Sequence, residues 1–251
     1  MKVKSLSQAV FLSLGLIAIG SAQAVNYVEI DGADVQFFYD ADFWGNGVAK
    51  VTGNTITFDL GEEYNTSAKV KAGNNASYTS YADQTIRQGA DIGLVAVAKS
   101  GYTMKSYLGL SLTGSYSVAE QGGIATGSAY GATYWGDFYG GEFSNTSYLF
   151  HYSADNQVSS SGAPSSGTFT QGSTSELAMG GGASALGVDT FLQSAVQQFG
   201  FGRTASGIAS VTYGFDVSAA PVPEPATYVM LLAGLGLMGA MSTRRKASRK
   251  H

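Results

Sequence analysis

Val48-Ala49-Lys50-Val51-Thr52-Gly53-Asn54-Thr55-Ile56-Thr57-Phe58-Asp59-Leu60 is two short alternating runs on either side of a Gly-Asn pair. Gly53-Asn54 is a two-residue hairpin signal, because the tight turns that match the twist of paired strands need residues that tolerate positive φ. A hairpin closed there sets Val51 opposite Ile56, Ala49 opposite Phe58 and Lys50 opposite Thr57. One face is then apolar and the other polar, as a strand pair packed on a second sheet requires.

The same period of two extends outward in both directions. Val28 to Ile30 and Val35 to Tyr39 read as strands, followed by a Gly-rich turn at Trp44-Gly45-Asn46-Gly47. Ile92 to Ala98 is a nearly continuous apolar run, which suits a central strand covered on both sides. From Tyr107, Leu108, Leu110, Leu112, Tyr116 and Val118 share one parity, while Gly109, Ser111, Thr113 and Ser117 share the other; this is a long half-buried strand with a bulge expected at Gly114. Tyr148, Phe150 and Tyr152 alternate in another, and Val211, Tyr213, Phe215 and Val217 in a closing one.

Other stretches read differently. Glu62 to Asp83 is polar and reads as a long loop or weak edge strands, and Ser159 to Ser175 as a Ser/Gly/Thr loop around Pro164. Leu177 to Gly187 is too rich in Gly to assign. Asp189 to Phe199 is the one helix candidate, with Asp189 as its cap and Leu192, Ala195, Val196 and Phe199 at i, i+3, i+4 and i+7. Many short alternating strands, frequent Gly turns and little helix predict an all-β antiparallel β-sandwich or jelly-roll-like domain, with no internal repeat to indicate a propeller or β-helix.

The two ends of the chain are of another kind. Lys2 and Lys4, an apolar stretch from Val10 to Ile19, and Ala22-Gln23-Ala24 form a secretory signal peptide over residues 1–24, with cleavage expected after Ala24. At the other end Pro221-Val222-Pro223-Glu224-Pro225 leads into an apolar segment, 226–243, and then Arg244-Arg245-Lys246 and a basic tail. That segment is barely long enough to span about 30 Å of hydrocarbon as a transmembrane helix, and the positive-inside rule puts Arg244 to Lys250 in the cytoplasm. Residues 25–220 are left as one extracytoplasmic domain, a length that single all-β domains commonly reach.

Charge and composition exclude several functions for that domain. Of 14 Lys+Arg and 18 Asp+Glu, the ends take Lys2, Lys4, Glu224, Arg244, Arg245, Lys246, Arg249 and Lys250, which leaves 7 basic and 17 acidic side chains and a formal charge of −10. Nucleic acid is therefore not an expected partner, since a binder needs a basic face to displace counterions. Cysteine is absent, so an exported chain must rely on its core rather than on disulfides.

The search for chemistry yields no catalytic set, and neither a metal nor another cofactor is expected. His151 is the only His of the domain, and no Ser, Asp or metal motif accompanies it, so a surface or structural role is expected. Asp31 with Asp34, Asp40 with Asp42, and Glu62 with Glu63 are the close acid pairs, of interest because glycosidases set two carboxyls across a cleft; here they read as solvated turns. Asp40-Ala41-Asp42-Phe43-Trp44-Gly45 begins like a calcium loop but fails at positions five and twelve, where Trp44 and Val51 stand. Gly234-Leu235-Gly236-Leu237-Met238-Gly239 matches the dinucleotide fingerprint by letters only, without a preceding strand or a following acid. Tyr134, Trp135, Phe138 and Tyr139 read first as core and aromatic-rich loop; Tyr134, Trp135 and Tyr139 are also candidates to stack on sugar rings.

The carboxyl-terminal stretch resembles the PEP-CTERM sorting domain of exopolysaccharide-producing Gram-negative bacteria. Pro223, Glu224 and Pro225 match its namesake motif, the Gly-containing apolar helix its membrane segment, and Arg244, Arg245 and Lys246 its cytoplasmic cluster. The resemblance covers residues 221–251 and implies processing by an exosortase, after signal peptidase has acted at the other end. It further implies an inner-membrane-anchored precursor and delivery to the cell surface or extracellular matrix. The expected function is that of a non-enzymatic structural or adhesive protein associated with biofilm and extracellular polysaccharide. The alternative is a secreted carbohydrate-active enzyme that uses paired carboxylates.

Overall fold

A computed structural model of the chain describes residues 25–62, 65–71, 79–87, 92–119, 121–177, 183–220 and 229–238. In chain order these form β1 (Tyr27–Asp31), β2 (Val35–Asp40), a one-turn helix α1 (Ala41–Trp44), β3 (Ala49–Thr52), β4 (Thr55–Asp59), β5 (Asn65–Val70) and β6 (Thr79–Arg87). There follow β7 (Leu94–Ala98), β8 (Tyr102–Val118), β9 (Gly123–Tyr139), β10 (Glu142–Ser160), β11 (Ser165–Glu176), β12 (Ala185–Phe199) and β13 (Gly202–Ala219). A helix α2 covers 229–238.

The strands make two antiparallel sheets. One has the order β1-β2-β7-β12-β9-β10, with β6 pairing β12 beyond the end of β7; the other has the order β11-β8-β13-β4-β3, with β5 pairing β13 beyond β4. The β3–β4 hairpin closes with the expected register, Val51 opposite Ile56 and Ala49 opposite Phe58, and Gly53 takes φ 60° in the turn. Inward-facing residues of both sheets form the sandwich core, built around Phe37, Trp44, Phe58, Leu112, Leu186, Val211 and Tyr213. A smaller apolar cluster of Ala68, Val118, Ala125 and Val196 lies apart from it.

Near this second cluster the two sheets are joined by polar contacts. The hydroxyls of Thr66 and Ser194 lie 2.9 Å apart, Ser206 Oγ donates to the Thr126 carbonyl at 3.0 Å, and Thr204 Oγ1 donates to Gln198 Oε1 at 2.6 Å. Gln198 Nε2 in turn donates to the Gly122 carbonyl at 2.9 Å. Buried hydroxyls and amides are tolerated because they are paired, and their directionality fixes how one sheet sits on the other.

Those contacts explain one correction. Asp189 to Phe199 is no helix but the greater part of β12, where Thr190, Leu192, Ser194, Val196 and Gln198 face inward and are fully or almost fully buried. Three of the five inward positions are polar, so the apolar pattern of a strand is lost and a chance helical spacing remains. Ser159 to Ser175 is likewise not a loop: β10 runs to Ser160 and β11 occupies Ser165–Glu176, its outward residues polar because they face water. The irregularity expected at Gly114 lies across from it instead. Between Ile208 and Ser210 the register of β13 slips by one residue, opposite the Gly114 to Thr113 step of β8. Glu62 to Asp83 contains β5 and the first part of β6, strands that flank the longer β13 and β12.

Helix α2 is exposed along its length, with Met230, Leu232 and Leu237 each at least 64% accessible. It covers ten residues of the expected membrane segment, about 15 Å of rise. No helix among the described residues is long and apolar enough to cross a membrane. Residues 226–228 and 239–243 of that segment lie outside the described residues, as do residues 1–24 with Ala22 and Ala24.

Candidate functional site

The outer face of the seven-stranded sheet carries an unusual density of rings. On β9, Tyr130 and Tyr134 point away from the core, since the alternate residues Ala129, Thr133 and Trp135 are buried. Tyr130 stands opposite Phe191 of β12, and the two rings lie 4.3 Å apart at 31°. Tyr134 stands opposite Tyr148 of β10 and meets it edge to face at 6.0 Å. Tyr148 continues to the His151 ring at 5.1 Å, and His151 Nδ1 lies 3.4 Å from the Gly131 carbonyl.

Tyr148 reaches this face through a defect in the strand. The register of β10 shifts between Tyr148 and Phe150, so Leu149 turns inward and is 6% exposed while Tyr148 is 50% exposed. Bulges of this kind re-aim a side chain. Simple alternation would have placed Tyr148 with Phe150 and Tyr152, and Tyr152 is buried.

Small residues make room for the rings. Ala132 lies between Asp189 and His151 in the ladder, and a Cβ on Gly136 or Gly187 would strike the Phe143 ring at 2.4 and 2.5 Å. Farther along the same face Phe38, Phe138 and Tyr27 form a second aromatic group, with Phe38 and Phe138 at 4.1 Å and 31°. Tyr27 OH donates to the Ile92 carbonyl and ties that group to the start of β7. Together these make a partly exposed aromatic plate on one sheet, with Ser153 and Gln193 as polar neighbours in the ladder.

Of the three ring residues named from sequence, Tyr134 lies on this plate and Tyr139 stands at the tip of the β9–β10 hairpin, 90% exposed. Trp135 belongs to the core at 8% exposure, because its parity pairs it with Leu186 on the inner side, so it has no surface to offer a sugar. Sequence reading missed Tyr130, Tyr148 and Phe191. Tyr130 and Phe191 come together only once β12 is a strand.

Beneath the plate, Tyr152 OH donates to the Asp189 carbonyl at 2.7 Å, and Thr190 Oγ1 bridges Tyr152 and Tyr213 at 3.0 Å each. Burial, and then the neighbouring Tyr213, push the Tyr152 phenol well above its ordinary range. This knot joins the two sheets.

The acids are placed as follows. Asp31 pairs with Lys99 at 3.1 Å, and Asp34 accepts from Asn54 Nδ2 at 3.2 Å. Asp40 caps α1 by accepting from the Asp42 amide at 2.9 Å, and Asp42 accepts from Asn26. The stretch that began like a calcium loop is thus a capped helical turn, with Trp44 turned into the core. Asp42, Asp59 and Glu62 line a groove of about 480 Å³ beside Phe43 and Trp44, and Asp59 is held by Lys50. Glu63 lies outside the described residues. Among the described residues no three His, Asp or Glu side chains are grouped to hold a metal ion.

The domain is thus an antiparallel sandwich with a ring-bearing face, and β13 ends one residue short of the proline-rich stretch. From that stretch on, residues 221–246 match the family model of the PEP-CTERM protein-sorting motif. The motif implies an exported, membrane-anchored precursor that an exosortase processes. Pro223, Glu224, Pro225, Arg244, Arg245 and Lys246 fall within the matched stretch and outside the described residues. No curated protein matches the chain.

Among solved structures, one described as "CBM4 structure and function" aligns at 11% identity over 76% of this chain and 90% of its own, with a TM-score of 0.16. The infectious bursal disease virus Gx strain structure aligns at 12% identity over 72% of this chain and 48% of its own, with a TM-score of 0.18. Superpositions this poor carry no argument.

Replacing Pro223, Glu224 and Pro225 together by alanine is expected to leave a membrane-retained form of higher mass. Intact mass of the cell-associated and released protein checks this, and an unchanged mature mass would contradict the sorting assignment.

Proposed function

We propose that the exported domain is a structural, adhesive component of the cell surface or extracellular matrix. On this reading it binds extracellular polysaccharide of biofilm through the aromatic plate of its seven-stranded sheet and catalyses no reaction. The observation that carries the reading is the pair of ring contacts Tyr130–Phe191 and Tyr134–Tyr148 on an outer sheet face. Rings fixed in a rigid sheet lose little conformational freedom when the apolar face of a sugar ring settles on them, and the neighbouring hydroxyls and amides meet the sugar's own hydroxyls. A domain of formal charge −10 repels polyanions, so the reading favours a neutral or amino-bearing polymer over an acidic one.

Tyr130→Ala combined with Phe191→Ala is expected to weaken retention on such a polymer by about tenfold, or ~1.4 kcal/mol, with the fold intact. Affinity electrophoresis through gels containing purified neutral polysaccharide measures it, and unchanged mobility of the double variant would remove the plate from the proposal. The carbohydrate-active alternative rests on the acid-lined groove beside Phe43 and Trp44. Release of reducing ends by the wild-type protein, abolished by Asp42→Asn, would replace binding with catalysis.

A further inference from the structure

Among the described residues six strands pair on one side only, β1, β3, β5, β6, β10 and β11, and all but β11 are guarded: β5 carries Lys69, and β6 carries Asp83 and Arg87. β1 is five residues long and carries Glu29 and Asp31; β3 is four residues long and carries Lys50; β10 is broken by two register shifts. Short length, charge and bulges are the devices by which natural sheets prevent their edges from pairing with other chains. β11 has none of them. It runs twelve residues, Ser165–Glu176, in unbroken register with β8, and it contains no Lys, Arg or Pro and one acid at its very end.

The strand is also largely exposed. Phe169 is its one buried residue, with its ring lying over Gly114 of β8 and reaching Gly127 of β9 in the other sheet. Ser166, Thr168 and Thr170 lie on the opposite side, facing Ser117, Ser115 and Thr113 of β8, and Gly172 and Thr174 follow them opposite Ser111 and Gly109. Among the described residues β8 is the only strand paired with β11.

We propose that β11 is a self-association edge, at which two copies of this chain pair their β11 strands antiparallel about a two-fold axis. Their six-stranded sheets then become one continuous sheet. A second copy suits the edge for three reasons. An isologous two-fold contact satisfies both rows of open backbone groups at once. Pairing centred on Thr170 sets Thr168 opposite Gly172 and Ser166 opposite Thr174, so no charges oppose one another and the hydroxyl rows continue across the join. And a strand of Ser, Thr, Gly and Gln offers no side-chain pockets with which to select a foreign peptide.

The chain has no cysteine, so a single introduced thiol reports the contact cleanly. In the full chain purified in detergent, Thr170→Cys is expected to form a disulfide-linked dimer under mild oxidation, since directly opposed strand residues lie within disulfide range. Lys50→Cys, on the guarded β3 edge, serves as the control and is expected to remain monomeric on non-reducing gels. Thr170→Lys places like charges at the two-fold and is expected to convert the dimer to monomer in sedimentation velocity, with an unchanged far-UV circular dichroism spectrum. Wild-type monomer up to its solubility limit would overturn the proposal. So would cross-linking of Thr170→Cys no faster than the control, or a dimer that survives Thr170→Lys.

Discussion

Trp44→Ala is expected to cost the sandwich about 3–5 kcal/mol, the range for removing a large buried aromatic side chain. The indole is 5% exposed and lies flat on Phe58, with centroids 3.9 Å apart at 9°. It also meets Phe43 and Tyr213 edge to face, and its Nε1 donates to the Gly93 carbonyl at 3.0 Å. Truncation leaves a cavity between the sheets, which is the main penalty, while the Gly93 carbonyl keeps the Asp40 amide as a donor at 2.9 Å. With no disulfide to constrain the unfolded chain, a domain of ordinary stability, about 5–15 kcal/mol, loses about a fifth or more of it. Urea unfolding of the processed protein followed by far-UV circular dichroism measures the change. Trp44→Phe is expected to recover more than half, since it restores the stack but not the hydrogen bond.

Gly114→Ala is expected to do comparable damage by the opposite route. An added Cβ would lie 2.2 Å from the Gly207 carbonyl oxygen and 2.4 Å from the end of the Phe169 ring. The ring could give way, but the carbonyl belongs to β13 and can move only with its strand. We expect a loss of about 3 kcal/mol, at the upper end for overpacking. Phe169→Ala in the same background should recover little of it, because the backbone contact remains. A full recovery in urea midpoints would show that the ring alone makes Gly114 necessary.

The hairpin at Gly53-Asn54, the long β8 and the closing β13 were legible because each has one wet and one dry face, and alternation records that directly. β12 was not, because its inner face holds Thr190, Ser194 and Gln198, whose partners include Tyr213, Thr66 and the Gly122 carbonyl, 23, 128 and 76 positions away. A one-dimensional pattern cannot show that a buried hydroxyl will be met from across a sandwich. The edge strand β11 was lost for a related reason, being wet on nearly all sides.

The candidate site was legible only in part. Tyr134 was found among clustered aromatics, but its neighbour Trp135 points the other way, and one inserted residue in β10 moved Tyr148 to the opposite face from where its parity put it. The sorting signal needed no fold to be read. Its information lies in local residue order and charge, and the match over residues 221–246 bears this out.

The position of β13 has a consequence for how the protein is made. It is the last strand of the sandwich and the spine of its sheet, pairing with β8, β4 and β5, and its Thr212 meets Thr57 from 155 positions away. During export the earlier strands therefore wait with one sheet lacking its middle, and the domain closes only when the segment just before the sorting motif has crossed. Contacts of such long range form late and slowly. A chain cut before β13 can neither complete its sandwich nor present the motif to the exosortase, so folding and sorting depend on neighbouring stretches of one chain.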